Sequence, residues 1–354
     1  KDWLSVAESE IKKGNYYEAE KLINEVKSKI DNSNINDLQN EDDDTLHEIA
    51  SQRATITLRL AIFTHQRGNF EEALEYLNNT LEIAESYNLI HIRCKAWNAI
   101  GNVNHKRGSY KNALEYFEKA IDGNEKLGDK LAVAIVYGNL GNLYKDLGSY
   151  DKSLEFFEKA LAIYKEFDDT MGISRVYGGI GIVYSLIGSY EMALEYYRKA
   201  LVILEKLEDK SSIANVFGLI GTVYAEQSSY QNALEYLSKA AKIQTELGEK
   251  SRIAGVLANI GGIHWNLASY DTALEYFSKA LVSHQELGEK SWIANDMANI
   301  GLLYSTKNYE GYDISKAEDL FRNAIEICQE SGSKGRLFFY YKSLADLYES
   351  ENRW

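Results

Sequence analysis

From Lys130 onward, apolar residues recur at Val133, Val136, Leu140, Leu143 and Leu147, beside a second stripe at Ala134, Tyr137, Gly141 and Tyr144. Both follow the i, i+3, i+4, i+7 spacing of a helical face. Two stripes on one helix predict burial on two sides, against a partner helix and against the preceding unit. "LGSY" at 147–150 then turns the chain. A second helix follows, with Leu154, Phe157, Leu161 and Tyr164 inward and Asp151, Glu155, Lys159 and Glu166 outward. Glu155 and Lys159 stand at i, i+4 in the favourable order, worth about 0.2–0.5 kcal/mol. "GDK" or "GEK" follows several second helices, placing helix stops at Gly128, Gly248 and Gly288.

The two-helix unit recurs every 40 residues. One column holds Tyr110, Tyr150, Tyr190, Tyr230 and Tyr270, with Phe70 ahead of them; another holds Gly101, Gly141, Gly181, Gly221, Gly261 and Gly301. Ala113, Ser153, Ala193, Ala233 and Ala273 form a third, and Ala120, Ala160, Ala200, Ala240 and Ala280 a fourth. Small residues at fixed places predict close helix approach. The flanks stretch the period: "GNYYEAEKLI" from Gly14 matches "GNFEEALEYL" from Gly68, and "AEDLFRNAI" from Ala317 matches "ALEYFSKAL" from Ala273. The repeats are therefore set at 1–30, 45–88, 89–128, 129–168, 169–208, 209–248, 249–288 and 289–332, the last with a four-residue insertion. An acidic polar insertion fills 31–44, and a terminal helix fills 333–354.

Composition sharpens this. The chain has no proline, which fits a nearly all-helical protein with short Gly-built turns. With 45% hydrophobic and 26% charged residues it is a globular composition rather than a disordered one. A formal net charge of −14 argues against nucleic acid and anionic lipid as partners. No apolar run approaches the roughly 18 residues of a membrane span, so membrane insertion is not expected. Cys94 and Cys328 suggest no disulfide framework. A cytoplasmic location is expected, or an extracytoplasmic one if a signal was removed.

The pattern of Tyr137, Leu140 with Gly141, Tyr144, Ser153, Phe157 and Ala160 resembles the tetratricopeptide repeat, here in a 40-residue version. That version is similar to the repeats of Pins-type adaptors, of Rap-type peptide-sensing regulators and of bacterial sensor kinases and cyclases. The resemblance implies an all-α, right-handed solenoid of tandem antiparallel helix pairs whose first helices line a concave surface. It also implies a protein- or peptide-binding scaffold without catalysis. The alternative is a sensory or regulatory region of a larger signalling enzyme, resting on the missing initial Met and an ending in mid-repeat. In the family's chaperone-tail variant a Lys/Asn clamp holds a terminal carboxylate. Asn102, Asn139 and Arg175 fall at three clamp positions, but Asn98 and Gly179 stand where two cations are needed, which argues against that variant.

Catalytic motifs are missing: there is no HExxH, CxxC, Walker loop or GxSxG, and no cofactor is expected. The glycines of "GGIGIVY" at Gly178 sit inside a helix with no preceding strand, and read as helix packing. Asn32, Asn34 and Asn36 alternate as in a Ca²⁺ loop, yet Asp37 stands where that loop needs Gly and the closing Glu is absent. The insertion reads as a solvated linker. His65 and His105 share one column and read as a polar ladder.

First-helix positions not used for packing give the candidate groove. Early units contribute Arg59, His65, Lys95, Asn98, Asn102, His105, Lys106, Asn139, Asn142, Lys145 and Arg175. Later ones contribute Ile182, Leu186, Leu219, Asn259, Trp265, Asn299 and Leu302. Asn can bond both the N–H and the C=O of an extended peptide, and Lys and Arg meet carboxylates. The expected partner is an acidic protein or peptide segment with an apolar anchor at Trp265. Self-association is expected at the C-terminal edge, through a bare face of Phe338, Tyr341, Leu344 and Leu347.

Overall fold

The computed structural model describes residues 43–66, 68–330 and 336–351, together with Lys21 and Glu25. Apart from Lys21 and Glu25, the first predicted repeat lies outside the described residues, as do nearly all of the insertion and the calcium-loop question. Fifteen helices and no strand are found among the described residues. They are α1 (Asp43–Gln66), α2 (Phe70–Ser86), α3 (Ile90–Lys106), α4 (Tyr110–Leu127), α5 (Lys130–Asp146), α6 (Tyr150–Glu166), α7 (Thr170–Leu186) and α8 (Tyr190–Lys206). Then follow α9 (Lys210–Glu226), α10 (Tyr230–Leu247), α11 (Lys250–Asn266), α12 (Tyr270–Leu287), α13 (Lys290–Tyr304), α14 (Ile314–Glu330) and α15 (Leu337–Ser350). Odd-numbered helices up to α13 are the first helices of repeats.

Local chemistry sets the ends. Gly128, Gly248 and Gly288 take left-handed φ values of 70°, 69° and 65° and stop their helices. Asn88, Asp168 and Glu208 do the same at φ 52°, 53° and 53°, without glycine's freedom. Asp169 and Asp209 cap α7 and α9, their carboxylates accepting from the N–H of Gly172 at 2.8 Å and of Ser212 at 3.0 Å. Since α5 ends at Asp146, Leu147 falls in the turn and is exposed, where the sequence pattern placed it in the buried stripe.

The chain forms two compact units, Lys1–Asp129 with Cys328–Gly335, and Lys130–Ile327 with Arg336–Trp354. In the first, Leu58, Ala61, Phe70, Leu77, Ala96, Ile100 and Val103 build a core across two helix pairs. In the second the same arrangement recurs, for example with Ala193, Tyr197, Ala200, Val216, Ile220 and Val223. The glycine column is what lets each pair close. A Cβ on Gly181 would lie 2.5 Å from the Tyr197 ring, and one on Gly141 2.8 Å from Phe157. Within each unit first helices also touch across repeats: α1 with α3, α5 with α7, α7 with α9, and α9 with α11.

On α15 the expected bare face is partly covered: Tyr340, Leu344 and Leu347 are buried, whereas Phe338, Phe339 and Tyr341 are exposed. Cys94 and Cys328 are both buried, and neither forms a disulfide. No described helix is long and apolar enough to cross a membrane.

Candidate functional site

Four positions on each first helix share one face: 95, 98, 99 and 102 on α3, and their equivalents every 40 residues. Their i, i+3, i+4, i+7 spacing makes them one stripe. In the first unit they form a concavity. His65, Lys95, Asn98 and Asn102 line it with Leu58, Ile62, Ala99 and Val103 from α1 and α3, and Leu77 of α2 closes its floor. Burial, with Lys106 and His105 adding, pushes the His65 imidazole down to about 4. His65 therefore stays neutral beside Lys95 over most of the working pH range.

The second unit holds an asparagine-lined concavity of about 280 Å³. Asn215, Gly218, Leu219 and Thr222 come from α9, Arg252, Gly255 and Asn259 from α11, and Trp292, Asn295 and Asn299 from α13. Gln244, from the second helix α10, lines it too. Arg252 is the one charged residue in this lining, and its Nε lies 3.5 Å from Glu249. Trp292 is a fixed wall. Its ring stacks on the His284 imidazole at 5.5 Å, and the Arg336 guanidinium lies 5.7 Å from it.

Of the remaining sequence-derived positions, Lys106 and Arg175 are exposed, while Arg59, Asn139 and Asn142 are half-buried. Asn142 donates from its amide to the Gly138 carbonyl at 3.1 Å. Ile182 and Leu302 are half-buried and Leu186 is exposed. Three expected groove residues lie elsewhere. His105 is buried and packs beside Tyr110. Lys145 keeps 16% of its side-chain surface and pairs with Asp146 at 3.1 Å. Trp265 packs against the core around Phe277 and Leu303, and its indole N–H donates to Thr306 at 3.3 Å. These three share one column with His65, which does line the first unit's concavity, so position in the column does not by itself decide the outcome.

Asn215 and Asn295 lie in the same 40-residue column as Lys95 and Arg175, so the period could have found them. Arg252, Trp292 and Gln244 lie off the columns read for the groove. The glycines need a further correction. Gly138, Gly178 and Gly218 sit on the groove stripe, and a Cβ on any of them would meet nothing within 4 Å. Packing accounts for Gly179 and Gly181 in "GGIG", where a Cβ would meet Phe157 and Tyr197, but not for Gly178. Among the described residues no group of three or more His, Cys, Asp or Glu could hold a metal ion.

Residues 92–166 and 172–246 match one tetratricopeptide-repeat family model and 254–281 match another, together just over half of the chain. The chain belongs to the tetratricopeptide repeat family. Residues 18–89 and 310–351 also match a model described as anaphase-promoting complex subunit 5. No curated protein matches significantly. Among solved structures, a Rap protein complexed with competence and sporulation factor is 17% identical, covers 98% of this chain and 97% of its own, and gives a TM-score of 0.63. NprR in complex with its cognate peptide NprX is 16% identical over 99% of this chain and 100% of that one, with a TM-score of 0.60. Aspartyl phosphate phosphatase F from Bacillus subtilis is 18% identical over 98% and 93%, with a TM-score of 0.56. At such identities the likeness is one of fold.

Proposed function

We propose that this tetratricopeptide repeat chain is a binding scaffold that holds an extended peptide, or an extended segment of a partner protein, along the faces of its first helices. The observation that carries the reading is the asparagine-lined concavity from α9, α11 and α13. Amide side chains offer both donors and acceptors to a main chain, and the bare glycines among them let a backbone approach closely. NprR, a structure of the same fold, was solved with its cognate peptide, which supports the same use here. The His284–Asp296 pair is sealed from solvent and so offers no reactive group to a substrate.

The acidic preference expected from the sequence falls to Lys95 and Lys106 in the first unit and, separately, to Arg175 in the second, without Lys145. Trp292, 43% exposed, replaces Trp265 as the apolar anchor. The test is a random peptide library panned on the purified chain, followed by fluorescence anisotropy of the best labelled peptide. Binding should weaken about tenfold or more with Asn259→Ala and should fade with salt if acidic residues contribute. A chain that enriches no peptide, or whose binding ignores Asn259→Ala, overturns the reading.

A further inference from the structure

Gln244 carries a polar group where the fold needs none. It is 3% exposed, and its Oε1 is buried without a hydrogen-bond partner. A buried acceptor left in that state is destabilising. One repeat earlier, the same position is Leu204, also 3% exposed and packed in an apolar core. Two repeats earlier it is Tyr164, which packs within its own core. Other repeats place a polar group there as well, Asn124 and His284, and His284 is answered by Asp296 at 2.6 Å, whereas Gln244 faces Val256 at the position equivalent to Asp296. Gln244 is also the one second-helix residue that lines the concavity of α9, α11 and α13.

We infer that Gln244 is a specificity-determining residue, its amide oxygen accepting a hydrogen bond from a neutral, donor-tipped side chain that the bound segment inserts between α9 and α11. This rests on the groove reading above and names what the groove selects. The class follows from the lining. Leu219, Val256 and Trp292 suit the apolar stem of the incoming side chain. At the bottom, the unpaired Oε1 calls for a donor, which an ionised carboxylate does not have. A cation would enter past Arg252 and find no buried carboxylate in the lining to neutralise it. An amide, hydroxyl or indole tip satisfies the orphan acceptor without burying charge. A site built to bond such a donor discriminates strongly against analogues lacking it, because its own polar group is left unpaired.

Gln244→Leu tests this, since Leu204 already occupies the equivalent position and the variant is expected to fold. A phage-displayed random nonapeptide library is panned in parallel on the wild-type chain, Gln244→Leu and Asn259→Ala. The wild-type chain should enrich peptides sharing one Asn, Gln, Thr, Tyr or Trp position, and Gln244→Leu should shift that position to Leu, Met or Phe. A labelled wild-type-selected peptide should bind Gln244→Leu about tenfold more weakly. Exchanging its donor residue for Leu should restore affinity for the variant and lose it for the wild type. If Asn259→Ala abolishes enrichment while Gln244→Leu enriches the same peptides equally, the groove reading stands and the role of Gln244 falls. If the wild-type chain enriches nothing, or Asn259→Ala enriches the same set, both fall.

Discussion

His284 Nδ1 lies 2.6 Å from Asp296 Oδ2, and neither residue has exposed surface. The Asp296 carboxyl is pushed above its usual range by burial, with the His284 bond pulling the other way. The equivalent pair one repeat earlier is Gln244 with Val256, and one before that Leu204 with Val216, an apolar contact in a closed core. Breaking a buried pair strands the remaining polar group, whereas replacing both members with apolar residues is often neutral or stabilising. His284→Leu alone should therefore cost about 3–5 kcal/mol, and His284→Leu with Asp296→Val should recover most or all of it. Chemical denaturation of the two variants checks this; equal losses in both would show that the pair does not act as a unit.

Gly178 and Gly181 share a helix and differ in surroundings. Gly181→Ala should destabilise by about 1–3 kcal/mol, because the added Cβ meets Tyr197 at 2.5 Å. Gly178→Ala should stabilise by up to about 1 kcal/mol, as helix propensity favours Ala and the site is open. If the groove reading holds, the same change should weaken peptide binding. Thermal melts and anisotropy on the two variants separate the effects.

Acid should act through His65. Its folded form stays neutral down to about 4, while the unfolded chain binds a proton near 6.5. The depressed folded value means that no stability is lost to this group above pH 6.5, and that loss accumulates as pH falls from there to about 4. The remaining exposure of His65 limits the loss to roughly 2 kcal/mol. His65→Asn should shrink the stability difference between pH 7 and pH 4.5, measured by urea titration. An unchanged difference would assign the acid sensitivity to other groups.

Ala268 and Ser228 hold left-handed φ values of 57° and 58° at the turn where Gly148 and Gly188 stand in earlier repeats. Ala268→Gly should relieve about 1 kcal/mol of backbone strain, offset partly by the entropy glycine adds to the unfolded chain. A rise in the melting temperature checks it, and a fall would mean that the entropy term dominates.

The period of the apolar residues by itself determined the helix pairs, their turns and the glycine column that closes each pair, because these are contacts within one repeat at fixed short separation. It also picked out residues that line a concavity in each unit, Asn98 and Asn102 in the first and Leu219, Asn259 and Asn299 in the second. The column three residues further on, through His105, Lys145 and Trp265, lies only about 60° around the helix. Whether such a column meets the groove or the seam depends on how a helix packs against the next repeat. Trp265 reaching Thr306, 41 residues away, is that kind of contact. Tertiary structure also decided that Gln244 of a second helix lies under a groove of first helices, and that Trp292 rather than Trp265 is its aromatic wall. The physical reason is that repetition writes each unit's own packing into the sequence, while the lining of a surface is made where separate units converge.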